Sequence, residues 1–224
     1  MNLFREKEAI KAYLKMLESK GARAALLHQR SLFLDKLSLS LDEKNADGQS
    51  YRFAVEAVID TIDVDDWHNS LTAAREFYPF WMSDINAIVA LSKNPGFDLM
   101  GITWRPQAVQ LNELWAALDG QKFETAETWP LKAYTKALRD EAIEQSIVDT
   151  RIKIAKLILI RLRDAPDKTP KIYRIAVDST LPLFHIKENR RLFLVVVREF
   201  FHFWIGNPDA HQFVLKNESG NMLL

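Results

Sequence analysis

Three polar side chains interrupt the most apolar stretch of the chain. Residues 192–205 read LFLVVVREFFHFWI, in which only Arg198, Glu199 and His202 are neither apolar nor aromatic. A charge isolated among such neighbours is strongly disfavoured, so these groups must find partners. On a helix, Arg198 and His202 lie four apart and Glu199 and His202 three apart, which lets all three meet on adjoining faces. On a strand, His202 would share a face with Arg198 and oppose Glu199. The β-branched run Val195–Val197 keeps that alternative open. A pocket containing Arg198, Glu199 and His202 would be an enzyme's, and these three are the candidate catalytic residues. The plainer reading is an internal Arg–Glu pair beside a satisfied core histidine.

Glu199-x-x-His202 also has the spacing that offers a carboxylate and an imidazole to one metal on a helix. Carboxylate-bridged di-iron bundles use two such pairs and two further glutamates. The chain has no second ExxH; the nearest pairs are Asp65-x-x-His68 and Glu141-x-x-Glu144. The metal candidates are therefore Glu199, His202, Asp65 and His68, against a simpler role for Asp65 as a helix cap. Without cysteine, thiol catalysis, disulfides and cysteine-bound zinc are excluded. HExxH, a dinucleotide fingerprint and a nucleophile elbow are also missing. Gly96-x4-Gly101 has the glycine spacing of a phosphate loop, but Ile102 stands where that loop needs lysine. No cofactor is expected.

Arg23-Ala24-Ala25-Leu26-Leu27-His28 resembles the Arg-x4-His motif of the HEPN group of small all-helical ribonucleases. The resemblance covers six residues and implies His28 as general base or acid, with Arg23 stabilising a phosphorane. The motif's usual polar residue after the arginine is absent. The plainer reading is a surface arginine and a helix histidine.

The 30 basic and 30 acidic residues cancel, but they are unevenly spread. Residues 42–66 hold eight acids against Lys44 and Arg52, while residues 151–198 hold twelve bases against four acids. Within RIKIAKLILIRLR (151–163), Lys153, Lys156 and Arg163 fall in one helical sector and form a candidate basic surface. That surface is either a solvated stripe or a phosphate contact line. No aromatic residue interleaves with its bases to stack on nucleotides. Twenty-four aromatic residues include Trp104 and Trp129 near expected loops, where exposure would make them interface anchors. The leading expectation is a protein–protein interaction or self-associating module, with a homo-oligomer as one form. The rivals are a helical enzyme around Arg198, Glu199 and His202, and nucleic-acid binding through 151–198, which is not favoured. Charges in the first eight residues leave no apolar signal core, and no apolar run approaches a membrane span. A cytoplasmic protein without a membrane partner is expected.

The elements that must position these groups read as helices. Leucine and alanine outnumber valine, isoleucine and threonine, and glycine is scarce, at seven residues. Apolar spacing predicts helices over about 3–19, 22–40, 51–62, 65–93 with a kink at Pro79, 106–118, 128–163 with a break near Asp149-Thr150, 170–178 and 188–205. The expected fold class is all-α: a bundle-like single domain over 1–216 with about 7–9 helices and a flexible tail over 217–224. A short strand pair near 97–105 or 192–205 is the alternative. No internal repeat is apparent.

Overall fold

Among the described residues, positive backbone φ marks four helix ends, at Gly21, Ser83, Ala142 and Gly206. Each is closed in the same way. The amide of the next residue bonds to a carbonyl five back, and the positive-φ residue bonds three back. This is the pairing that satisfies the orphan carbonyls of a helix C-terminus. The computed structural model describes residues 4–42, 44–93 and 104–214. Among them are ten α-helices: α1 Phe4–Ser19, α2 Ala24–Leu41, α3 Gly48–Ile59, α4 Trp67–Trp81, α5 Ile85–Lys93, α6 Leu111–Gly120, α7 Thr125–Asp140, α8 Gln145–Arg161, α9 Pro170–Thr180 and α10 Lys187–Ile205. Short 3-10 turns occupy Val64–Asp66, Leu181–Leu183 and Ala210–Phe213. The protein is all-helical, and the described residues contain no strand.

The 192–205 segment is therefore helical, inside α10. Packing against α7, α8 and α9 overrides the strand preference of its valines. Of the other strand candidate, residues 97–103 lie outside the described residues, as do Gly96, Gly101 and the 217–224 tail.

Several helix limits differ from the sequence expectation. The 65–93 stretch is two helices, and the break falls after Trp81 rather than at Pro79. The helix passes through Pro79, whose carbonyl accepts the Asp84 amide at 2.9 Å. The Asp84 carboxylate then accepts from the Ala87 amide at 3.0 Å and starts α5. The long 128–163 stretch breaks at Ala142 rather than at Asp149-Thr150. Pro106 precedes α6 instead of opening it, because reciprocal bonds between Gln110 and Glu113 set the start at Leu111. The same device at Glu124 and Glu127 starts α7 three residues before Thr128.

The contacts divide the chain into two compact units, one holding α1–α5 and the other α6–α10. The sequence expectation was one domain over 1–216. Within the first unit, α1 packs on α2 and α4, α2 on α3 and α4, and α3 on α4. Within the second, the same five pairings recur as α7 on α8 and α10, α8 on α9 and α10, and α9 on α10.

The second unit repeats the first. Lys11-Ala-Tyr-Leu-Lys-Met-Leu17 matches Lys132-Ala-Tyr-Thr-Lys-Ala-Leu138. Tyr51-Arg-Phe-Ala-Val-Glu56 matches Tyr173-Arg-Ile-Ala-Val-Asp178, and Arg75-Glu-Phe-Tyr-Pro-Phe-Trp81 matches Arg198-Glu-Phe-Phe-His-Phe-Trp204. Contacts follow the sequence. Tyr51 donates to the Ala74 carbonyl at 2.7 Å, and Tyr173 donates to the Val197 carbonyl at 2.7 Å. Tyr51 packs on Trp81 with ring centroids 5.2 Å apart, and Tyr173 on Trp204 at 4.9 Å. Gly21 matches Ala142, and Ser83 matches Gly206. This overturns the expectation of no repeat. Single-residue insertions twice shift the register between the halves, so similarity is confined to short runs.

Candidate functional site

Each unit is built around a tyrosine, an arginine and a glutamate, all buried in the second unit and with Glu76 partly exposed in the first. In the second, Tyr134 on α7 donates to Glu199 Oε2 at 2.5 Å, and Arg151 Nη1 on α8 donates to both carboxylate oxygens at 3.0 Å. Arg151 and Glu199 are 2% and 1% exposed. In the first, Tyr13 on α1 donates to Glu76 Oε2 at 2.7 Å, and Arg30 on α2 donates to Glu76 at 2.6 Å and to the Tyr13 hydroxyl at 2.5 Å. In both triads the arginine Nε is shielded without a hydrogen-bond partner.

Helical spacing explains the placement. Tyr13 shares the buried face of α1 with Ile10 and Leu17, and Glu76 follows the buried Ala73 on α4. Burial pushes both tyrosine hydroxyls up, with the adjacent carboxylate reinforcing the effect, so each remains a proton donor. A buried ion pair adds little net stability over apolar packing, but it joins three helices in one geometry.

The candidate catalytic residues occupy three environments. Glu199 belongs to the buried triad. Arg198, one residue earlier, is exposed. The buried carboxylate of Glu199 is bound by Arg151 from α8. His202 is half-buried and stacks on Phe213, with centroids 3.6 Å apart and planes inclined by 6°. Its Nδ1 lies 3.4 Å from Asn207 Nδ2. Loss of solvent lowers its pKa from the ordinary 6.5. In the repeat, Arg198 and Glu199 correspond to Arg75 and Glu76, while His202 corresponds to Pro79.

Among the described residues, no group of three or more histidine, aspartate or glutamate side chains is arranged to hold a metal. Asp65 lies in the 3-10 turn before α4, where Asp63 does the capping by accepting the Asp65 amide at 3.0 Å. His68 is half-buried in the first turn of α4. Arg23 stands exposed at the N-cap of α2, and His28 is exposed one turn on.

The basic surface is not one stripe. Arg163 is tied to Glu127 at 2.9 Å, to Gln121 and to the Lys122 carbonyl. Its guanidinium lies 5.2 Å from the Phe123 ring, and the Lys156 ammonium lies 5.7 Å from the same ring. Lys153 is exposed. Between α7 and α8 runs an open groove of about 500 Å³, lined by Phe123, Lys132, Lys136, Arg139, Asp140 and Lys156 among others. Three of its cations come from α7, outside the 151–198 segment. Trp129 on α7 is 73% exposed, and Trp104 is half-buried.

Sequence reasoning missed Tyr13, Arg30, Glu76, Tyr134 and Arg151. The signal was available only by aligning the chain with itself, where Lys-Ala-Tyr and Arg-Glu-Phe recur. No protein-family model, curated protein or solved structure matches the chain. No helix of the described residues is long and apolar enough to cross a membrane.

Proposed function

We propose that the protein is an interaction module that takes up an acidic protein segment, from a partner or from a second copy, along the α7–α8 groove. The observation that carries this reading is Trp129, 73% exposed on α7. Lys132 and Lys136 follow it at three and seven residues and so lie on the same side of the helix. Tryptophan is among the residues enriched at the energetic centres of interfaces. The cations Lys132, Lys136, Arg139 and Lys156 outnumber Asp140 in the groove and would steer an acidic segment toward it. Residues 42–66 of the chain itself have the complementary charge, eight acids against two bases.

A nucleic acid fits less well. The chain is neutral, with an isoelectric point near 7.0, where a dedicated nucleic-acid binder is usually strongly basic. The Phe123 ring is engaged by Lys156 and Arg163 rather than open for stacking.

The test is fluorescence anisotropy with a labelled 42–66 peptide, beside sedimentation velocity of the intact protein. Trp129→Ala and the Lys132→Glu/Lys136→Glu pair should each weaken the interaction by about tenfold or more. The thermal midpoint of Trp129→Ala should stay close to that of the parent. A strict monomer that ignores the peptide overturns the proposal. So does tight binding of a single-stranded oligonucleotide that falls steeply with salt, which would indicate a polyanion site instead.

A further inference from the structure

The two units differ where α3 meets α4. There the first unit has a cleft of about 80 Å³, lined by Gly48, Tyr51, Arg52, Leu71, Ala74, Arg75 and Tyr78. Its floor is apolar: Tyr51, Leu71 and Ala74 are each 3% exposed or less. The Tyr51 hydroxyl is already spent on the Ala74 carbonyl, and Tyr78 packs edge-on against the Tyr51 ring with centroids 4.9 Å apart. Arg52 lines the cleft with its Nε shielded from solvent and without a hydrogen-bond partner. A guanidinium at the edge of an apolar cleft offers a carboxylate a charge-assisted, bidentate partner.

The second unit supplies the comparison. Tyr173, Arg174, Leu194 and Arg198 repeat Tyr51, Arg52, Leu71 and Arg75, but Pro170, Val197 and Phe201 replace Gly48, Ala74 and Tyr78. Two of these replacements add bulk at the cleft and the third removes a hydroxyl. Core packing accepts either version, since Tyr51 and Tyr173 make the same bonds and ring contacts in both. The small residues of the first unit are thus not demanded by the fold.

We propose that the α3–α4 cleft of the first unit binds a small carboxylate carrying a short apolar group. The carboxylate pairs with the Arg52 guanidinium at the cleft wall, and the apolar group rests on Leu71, Ala74 and the Tyr51 ring. The volume sets the size. A cavity of roughly 150 Å³ takes a benzene molecule, so this cleft takes an apolar group of about half that size, such as an isopropyl group, with the carboxylate and the rest of the ligand at its mouth. A free short-chain acid and the end of a peptide chain both have this chemistry. The proposal is independent of the α7–α8 groove, which lies on other helices.

The experiment is amide and methyl NMR of the intact protein titrated with isobutyrate and, separately, with N-acetylvaline, which presents a chain-terminal carboxylate. Shifts centred on Tyr51, Arg52, Leu71 and Ala74 are expected with at least one of the two probes, and the better ligand identifies the source. Ala74→Val installs the residue of the second unit, so it should fold with an unchanged thermal midpoint and lose the shifts. Arg52→Gln should weaken binding by about tenfold or more, which corresponds to ~1.4 kcal/mol. Shifts from neither probe at millimolar concentration overturn the proposal, as do shifts that survive Ala74→Val.

Discussion

Glu199 shows how one side chain can be legible as unusual and still be misassigned. Its carboxylate is enclosed by Tyr134 and Arg151, so its role is to join α7, α8 and α10. Glu199→Ala leaves the Arg151 charge buried without that partner and should cost about 3–5 kcal/mol in a denaturant titration. Replacing all three members together, as Tyr134→Phe, Arg151→Met and Glu199→Leu, should be neutral or stabilising, by up to about 4 kcal/mol. A triple variant as unstable as Glu199→Ala would mean that the triad does more than hold its own charges. His202 gives a pH dependence of known sign. Its folded pKa lies below 6.5 because burial disfavours the imidazolium, so the unfolded chain binds the proton first as pH falls. The contribution of this residue to stability should be complete above about 6.5 and decline as pH drops from there toward the folded pKa. Comparing His202→Asn with the parent by thermal melts across that range isolates it, since the variant should lose this part of the slope.

Helix ends carry the clearest energetic statement at the next scale. Gly21 and Ala142 occupy the same position in the two units, both with positive φ. Glycine adopts that backbone freely and alanine does not. A methyl group at Gly21 would meet nothing within 4 Å, so substitution there changes backbone conformational energy alone. Gly21→Ala should destabilise by about 1 kcal/mol and Ala142→Gly should stabilise by a similar or smaller amount. Paired chemical denaturation of the two variants checks this, and equal signs would refute it. The element boundaries that the sequence hid were of this kind. A periodic apolar pattern continues through a connection of three or four residues, so 65–93 and 128–163 each read as one helix. Ser83 and Ala142 lack the glycine signal that Gly21 and Gly206 display. The β-branched run in α10 was ambiguous for another reason: helix or strand there depends on neighbours that lie far away in sequence.

For the molecule as a whole, repetition matters more than any single motif. Five helix pairings, two tyrosine–arginine–glutamate triads and two tyrosine–tryptophan contacts recur, each within its own unit. Hydrogen exchange should follow those boundaries. Glu199→Ala should remove protection from α7, α8 and α10, and Glu76→Ala from α1, α2 and α4, with the other unit's amides unchanged in each case. Equal loss in both units from either variant would show a single cooperative body. The repeat also sorts the site residues. Arg198 and Glu199 recur as Arg75 and Glu76, with the glutamates at the centre of the two triads, while His202, Trp129 and the Ala74 cleft have no counterpart of the same type. Features confined to one half are where distinct binding roles for the two units can arise.

Composition and apolar period alone determined that the chain is helical, roughly where its helices run, and that a charge such as Glu199 inside 192–205 needs a partner. Those properties are local, set by propensity and by the cost of leaving charge among apolar groups. Which partner each polar residue takes is not local. Arg151 lies 48 residues from Glu199, and Arg30 lies 46 from Glu76. Only the packing of three helices brings them together, and only that packing decides that Glu199 is enclosed, Trp129 exposed and the space beside Ala74 left open.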